Sequence, residues 1–321
     1  MLININMKRN SWRAWMLAAR PKTLTGALVP VMLGIACAYH STQGTCFTSA
    51  GSLADSVLGK GSHIDSIVAA LLCVLFALVM QIESNFVNDY FDFVKGKDNE
   101  ERLGPLRACQ QGWVTLRAMR IAIAITAGLA AIVGTPLILF GGYELIIVGA
   151  ACLLFCFLYT VCMASIGMGD LLVLVFFGIV PVCFTYYVVV PPSLQTFSTM
   201  PWLTGTACGL VVDTLLIVNN YRDIDNDRHS GKHTLVTMIG KEKTEWMYLS
   251  LVPMAVILLL WQYGWTNFNM IISFGIYFLH IDTWNKMRRI SQGRELNKVL
   301  GKTARNIFVF GILASLVVIM S

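Results

Sequence analysis

Charge is what this chain has least of. Only 13% of its residues are Asp, Glu, Lys or Arg, against 56% that are hydrophobic, whereas a soluble domain is about 25% charged. That shortage excludes an ordinary soluble enzyme and a basic nucleic-acid-binding domain, so no nucleic acid partner is expected. Histidine is sparse, and the nine cysteines (37, 46, 73, 109, 152, 156, 162, 183 and 208) contain no C-x-x-C. Even Cys152 and Cys156, which share a helix face, have no His or carboxylate beside them, so the cysteines read as small packing residues rather than metal ligands or disulfides. No Walker-type phosphate loop is present, which argues against a nucleotide-driven pump. Nor is there a clean apolar core near the N-terminus: Lys8, Arg9, Arg13, Arg20 and Lys22 interrupt it. A cleavable signal peptide is therefore not expected, and the N-terminus should remain in the mature protein.

What is present in quantity is apolar sequence in runs of about 20 residues, the length that crosses a hydrocarbon core of about 30 Å. Nine runs stand out: Thr23 to Tyr39, Asp65 to Val87, Ala118 to Phe140, Tyr143 to Ala164, Leu171 to Val190, Pro201 to Asn220, Glu245 to Tyr263, Asn267 to Asp282 and Arg305 to Met320. They predict an all-α integral membrane protein of about nine transmembrane helices, one domain over residues 1–321, in contact with membrane lipid. Pro30, Pro136 and Pro181 fall inside runs, which a bundle tolerates when neighbours satisfy the freed backbone groups. All but Lys60 of the 24 lysines and arginines lie in the N-terminal tail, in the connections after the second, sixth and eighth runs or, as Arg120 and Arg305, in the first residues of the run that follows such a connection. By the positive-inside rule the N-terminus is cytoplasmic and, after nine crossings, the C-terminus is outside. The net charge of +6 is on this reading a topology signal.

The chemistry-bearing residues concentrate at the cytoplasmic ends of the second and sixth runs, with loops over about 88–117 and 221–244. The first cluster, NFVNDYFDFVKGKDNEERLGPLRA from Asn85 to Ala108, places Asn85, Asn88, Asp89 and Asp92 on one helix face, with Asp98, Glu100 and Glu101 beyond. The second, NNYRDIDNDRHSGKHTL from Asn219 to Leu235, steps Asn219, Asp223 and Asp227 by four. Carboxylates gathered this way repel unless a cation neutralises them. Oxygen donors without a His or Cys in register favour Mg²⁺, which completes its shell with water and substrate phosphates. Lys95, Lys97, Arg102 and Arg107 in the first cluster, and Arg222, Arg228 and Lys232 in the second, supply the cations that Mg²⁺-bound diphosphate calls for. Each cluster repeats N-x-x-x-D followed by Gly-Lys, at Gly96-Lys97 and Gly231-Lys232. Four spans separate them, so both should end helices running the same way and can face one cavity.

These stretches resemble the paired aspartate motifs of UbiA-type intramembrane aromatic prenyltransferases. With ARPKTLTGALVPVMLG at Ala19 to Gly34 and the ERLGP-x-R run before Ala108, the chain is similar in particular to the branch acting on 1,4-dihydroxy-2-naphthoate. The five-residue gap between Asp92 and Asp98 fits that branch better than the hydroxybenzoate one. The resemblance implies a bacterial inner-membrane enzyme of menaquinone biosynthesis, active site toward the cytoplasm. Such an enzyme joins a polyprenyl diphosphate to 1,4-dihydroxy-2-naphthoate with loss of CO₂ and diphosphate. It implies metal ligation and catalysis by Asp89, Asp92, Asp223 and Asp227, with Asn85 and Asn219 supporting the metal and Asp98 helping. Substrate contacts would fall to Asn88, Lys97, Arg102, Arg222, Lys232, Arg20, Lys22 and Tyr159. Where the branch often carries a Gly-Gly-Pro-rich connection after Tyr-Thr, this chain reads VCMASIGMGD after Tyr159-Thr160; Gly169-Asp170 and Tyr186-Tyr187 then fit again.

Tyr90, Phe91, Tyr159 and Tyr221 are candidates to shelter a prenyl cation by cation–π attraction of about 0.5–2 kcal/mol each. Intramembrane acids are costly and usually functional, and Glu83 and Asp213 read either as flanking the acceptor pocket or as protonated residues facing the bundle. Asp282 reads as interfacial, His229 and His233 as solvated. Competing readings are another acceptor, such as hydroxybenzoate, haem or a chlorin, or an ion-coupled transporter, whose acids belong at the midplane on broken helices. The oligomeric state leaves no signature.

Overall fold

A computed structural model describes residues 7–48, 63–96, 102–163, 166–196 and 198–321. Among them every regular element is helical, apart from one parallel bridge between Ile166 and His233. Helix α1, Trp12–Ala19, starts where the Ser11 side chain accepts a hydrogen bond from the Ala14 amide. It buries Ala14 and Ala18 and exposes Trp12, Met16 and Leu17, the two-faced pattern of a helix lying in a membrane interface. The chain turns at Arg20, which is left-handed (φ 50°), and Pro21 opens α2, Pro21–Ser41, at a position where its missing N–H costs nothing.

The other long helices are α3 (His63–Val94), α4 (Leu116–Gly141), α5 (Glu144–Val161), α6 (Gly169–Val189) and α7 (Thr199–His229). The short α8 (Leu235–Ile239) follows, then α9 (Lys241–Tyr263), α10 (Asn267–Ile290) and α11 (Leu296–Met320). Among the described residues eight of these, all but α10 of the long ones, are long and apolar enough to cross a membrane. The ninth predicted span is present as α10, a 24-residue helix packed against α9 and α11. It is less apolar because its last turns carry Asp282, Lys286, Arg288 and Arg289. As the charges foretold, Asp282 is solvent-accessible and paired with Lys286 and Lys302.

Two helices outrun the rest. α3 has 32 residues and α7 has 31, about 47 Å each at 1.5 Å per residue, where the hydrocarbon core needs about 30 Å. The excess turns are those bearing the Asn-Asp stripes, which therefore stay helical past the apolar layer. α4 and α5 have little protein around them: 17% and 6% of their spanning stretches are buried, so Ile121, Ile125, Ile132, Ile146, Ile147 and Leu154 point outward.

α6 and α7 approach more closely than side chains allow. A Cβ on Gly178 would lie 2.5 Å from the Gly205 carbonyl oxygen and the Gly209 Cα, and one on Gly209 would lie 2.6 Å from the Leu174 carbonyl oxygen. A π-helical turn at Val175–Ile179, just before Pro181, accompanies this contact. Small residues at a helix crossing are how membrane helices gain packing without a hydrophobic driving force. We expect Gly178→Ala to destabilise the detergent-solubilised protein by about 1–3 kcal/mol through overpacking. Gly128→Ala, with nothing within 4 Å of the new methyl, should leave the melting midpoint unchanged or higher. Thermal unfolding of the pair reads the difference.

Candidate active site

A large cavity, about 650 Å³, runs along α2 to α7. Its polar end is built by Arg20, Asn85, Asn88, Arg102, Arg107, Tyr159 and Asn219. The asparagines of both stripes thus open into the same space, whereas none of the four aspartates is in the lining. Away from that end the lining is apolar and rich in aromatics: Phe76, Phe155, Phe176, Phe177 and Phe184.

The α3 stripe organises the corner that presents Arg20. The Asn85 side-chain amide donates to the Ala19 carbonyl and to the Thr23 hydroxyl, both at 2.9 Å. That clamps the α1–α2 turn in which Arg20 holds its left-handed backbone, a costly conformation for a residue with a Cβ. Burial and then repulsion from Arg107 pull the Arg20 guanidinium below the ordinary arginine value; Asp89 opposes the shift and Arg102 adds to it. Three guanidinium groups crowded at one cavity end are a site waiting for a multivalent anion. Asn88 accepts from the Thr160 hydroxyl at 2.6 Å, tying the end of α5 to the same face.

The aspartates are held individually. Asp89, 1% exposed, accepts from the backbone amides of Ala108 (2.9 Å) and Cys109 (3.1 Å) and so anchors the return of the loop. Asp92 pairs with Arg107 at 2.9 Å. Asp223 receives both Nε (2.9 Å) and Nη2 (2.6 Å) of Arg222, and Asp227 pairs with Lys232 at 3.3 Å. Arg222 also donates to Asn219 (2.7 Å) and to Asn297 (2.8 Å). Asn297 in turn donates to the Leu103 carbonyl at 2.8 Å. This chain of hydrogen bonds joins α7, the start of α11 and the loop after α3. Gly104 completes the seam: a Cβ there would lie 2.9 Å from Arg222 Nη2 and 3.2 Å from Arg102 Nη2, so the Leu-Gly-Pro turn rests on two guanidinium groups.

Among the described residues, no three His, Cys, Asp or Glu side chains come together as a metal site. The four aspartates expected to converge are instead dispersed behind the cavity lining, each with a nearer partner for its charge. The donor chemistry nevertheless fits a hard divalent ion. The oxygens of Asp92, Asp223 and Asp227 face Arg and Lys groups whose charge such an ion can replace. Asp89 fits the role less directly, being committed to two amides, although each oxygen keeps a further lone pair.

Of the other residues expected at the site, Lys22 is exposed and outside the lining, and Lys97, Asp98, Glu100 and Glu101 lie outside the described residues. Among the candidate aromatics only Tyr159 lines the cavity. Tyr90 and Phe91 pack beside Phe86 and Val87 in a separate core cluster. Tyr221 is buried and donates to Glu245 at 2.7 Å. Glu83 faces the bundle, accepting from the Thr126 hydroxyl of α4. His229 and His233 are exposed, as expected. Phe76 and Met80 were legible in principle: with Ser84 and Asn88 they continue the polar stripe at steps of four along α3. Asn297, nearly 200 residues from the loop it holds, carried no local signal.

Breaking the Arg222–Asp223 pair tests the seam. Arg222→Met should cost toward the lower end of about 3–5 kcal/mol, because it strands a partly buried carboxylate. Adding Asp223→Leu should restore much of that loss. Equilibrium unfolding of both variants checks it.

Residues 46–300 match the sequence profile of the UbiA prenyltransferase family. The chain is 37% identical over 240 residues to the 1,4-dihydroxy-2-naphthoate octaprenyltransferase of Escherichia coli, covering 71% of this chain and 69% of that protein. Its fold is similar to a UbiA homolog from Aeropyrum pernix, with TM-score 0.66 at 15% identity over 92% of this chain and 98% of that one. It is also similar to a UbiA homolog from Archaeoglobus fulgidus bound to GPP and Mg²⁺, with TM-score 0.60 at 15% identity over 96% of this chain and all of the other.

Proposed function

Starting from the chain's membership of the UbiA prenyltransferase family, a family of membrane-embedded prenyltransferases, we propose that it transfers a polyprenyl group from its diphosphate to 1,4-dihydroxy-2-naphthoate. CO₂ and diphosphate leave, and the hydroquinone form of demethylmenaquinone results. The observation that carries this reading is the two-part cavity: three guanidinium groups and carboxamides from both motifs at one end, phenylalanines along the rest. A diphosphate matches the first part and an isoprenoid the second. The name of the Escherichia coli relative supports the acceptor. We place the polar end at the cytoplasmic side of a bacterial inner membrane, from the bias in lysine and arginine.

Arg20, Arg102 and Arg107 receive the diphosphate oxygens. Mg²⁺, held by Asp92, Asp223 and Asp227 with Asp89 and Asn219 in support, would neutralise charge on the leaving group; the Archaeoglobus fulgidus homolog with GPP and Mg²⁺ supports that cofactor. Arg222 positions Asp223 and Asn219, and Lys232 positions Asp227. Donors fixed before the reaction stabilise the charge that grows on diphosphate as the allylic C–O bond lengthens. Phe155, Phe176 and Phe177 line the apolar part of the cavity and offer aromatic faces to the prenyl group. The thin α4–α5 wall lets a long isoprenoid tail lie partly in lipid, which is as apolar as the tail itself.

Purified protein in nanodiscs, with radiolabelled polyprenyl diphosphate and Mg²⁺, should form prenylated product with 1,4-dihydroxy-2-naphthoate and little with 4-hydroxybenzoate. Asp92→Asn and Asp223→Asn should each lower turnover at least ~10²-fold while the protein stays folded. Preference for 4-hydroxybenzoate would move the acceptor assignment, and full turnover by both variants would remove the aspartates from the mechanism.

A further inference from the structure

Two carboxylates near the α6–α7 crossing take no part in the mechanism above. Asp213 on α7 is 5% exposed. Its Oδ1 and that of Asp170 on α6 are buried, and among the described residues neither has a hydrogen-bond partner. An unsatisfied charged group there is expensive, so the pair calls for an explanation.

The helix crossing brings them together. Gly205, Gly209 and Asp213 recur every four residues and share one face of α7. Gly209 meets Leu174 on α6, and Asp170 lies one turn before Leu174, as Asp213 lies one turn after Gly209. Because α6 and α7 run antiparallel, one turn beyond Leu174–Gly209 sets Asp170 toward Asp213, and the two carboxylates interact electrostatically. Tyr159 of α5, which lines the polar end of the cavity, interacts electrostatically with both. The other charged groups felt at this corner are Lys232 by Asp170, and Asp92 and Arg107 by Tyr159, through their electrostatic fields. Two like charges in such a place cannot both be ionised without a severe penalty, which is the condition under which carboxylates share a proton.

We propose that Asp170 and Asp213 hold one proton between them and, through the Tyr159 hydroxyl, take up and return the hydroxyl proton of the aromatic acceptor. This rests on the acceptor being a hydroxylated aromatic acid, as proposed above. When the ring carbon bearing the carboxylate bonds to the prenyl carbon, the prenyl C–O bond breaks and its electron pair leaves with diphosphate. The ring hydroxyl becomes a carbonyl; its proton passes to Tyr159 as the tyrosine's own proton passes to the pair. As CO₂ departs, the electrons of its bond to the ring restore aromaticity. The carbonyl oxygen becomes an aryloxide and takes the proton back along the same path. No proton is consumed overall, so the pair acts as a loan site rather than a sink.

The test uses the full-length enzyme in nanodiscs with Mg²⁺ and labelled polyprenyl diphosphate. Asp170→Asn and Asp213→Asn should each lower kcat by about 10²-fold or more, leave the KM for polyprenyl diphosphate unchanged, and remove a limb from the pH–rate profile. Asp213→Glu should recover part of the rate. An infrared difference spectrum of the resting protein, wild type minus Asp213→Asn, should show the C=O stretch of a protonated carboxyl, whether or not the variant turns over. Normal turnover by both amide variants would overturn the relay alone, and so would the lack of that infrared band. A wild type that prenylates no hydroxylated aromatic acid would overturn the functional reading and the relay with it.

Discussion

The site depends on one guanidinium group. Arg222 is 4% exposed, and a cation that deep is tolerable only when its donors are satisfied. It satisfies them by gripping Asp223 with two nitrogens, Asn219 on its own helix and Asn297 at the start of α11. Asn297 then holds Leu103, and Gly104 lies flat against the guanidinium. One buried charge thereby joins three segments distant in sequence. The loop after α3 is fixed over the end of α7 because the alternative is an unpaired charge at the edge of the apolar layer.

The same logic explains why the first cluster looks as it does. Asp89 and Asp92 are both spent on the Arg107–Cys109 stretch, one through backbone amides and one through a guanidinium. The loop is thus pinned at Arg107–Cys109 by α3 and at Leu103–Gly104 by Arg222. At and beside those points it presents Arg107 and Arg102 to the cavity that Arg20 also lines. The mutual repulsion of three guanidinium groups is held in place by hydrogen bonds at their margins, a preorganisation that spares the protein from rearranging when an anion enters.

Much of this was legible before any coordinates. Apolar runs set the spans, and four-residue spacing put Asn85, Asn88 and Asp89, and then Asn219, Asp223 and Asp227, on single faces; the cavity receives the asparagines of both. What periodicity could not say is which partner each carboxylate takes. Spacing places a side chain on a face, whereas the choice between a metal-facing and an arginine-facing rotamer depends on what the loop brings back, as Arg107 does to Asp92. Asn297 was invisible for the same reason: its role is defined by contacts with residues 222 and 103. The choice of Tyr90, Phe91 and Tyr221 as cavity aromatics failed because proximity in sequence to a motif is not proximity to the cavity. Helical rotation turns those rings into the core and gives the lining to Phe155, Phe176 and Phe177 instead.

The α6–α7 crossing illustrates a trade between packing and electrostatics. Glycines at 178, 205 and 209 let the backbones touch, and the π turn at Val175–Ile179 breaks the regular helix where they do. A contact this close leaves little room between the helices for solvent, so any polar pair carried one turn further along must find its partner within the protein. Leucine or alanine at 170 and 213 would pack there without cost to charge. Acids at both positions raise the energy of the bundle by an amount that neutral residues would spare, which is the signature of groups retained for chemistry rather than for stability.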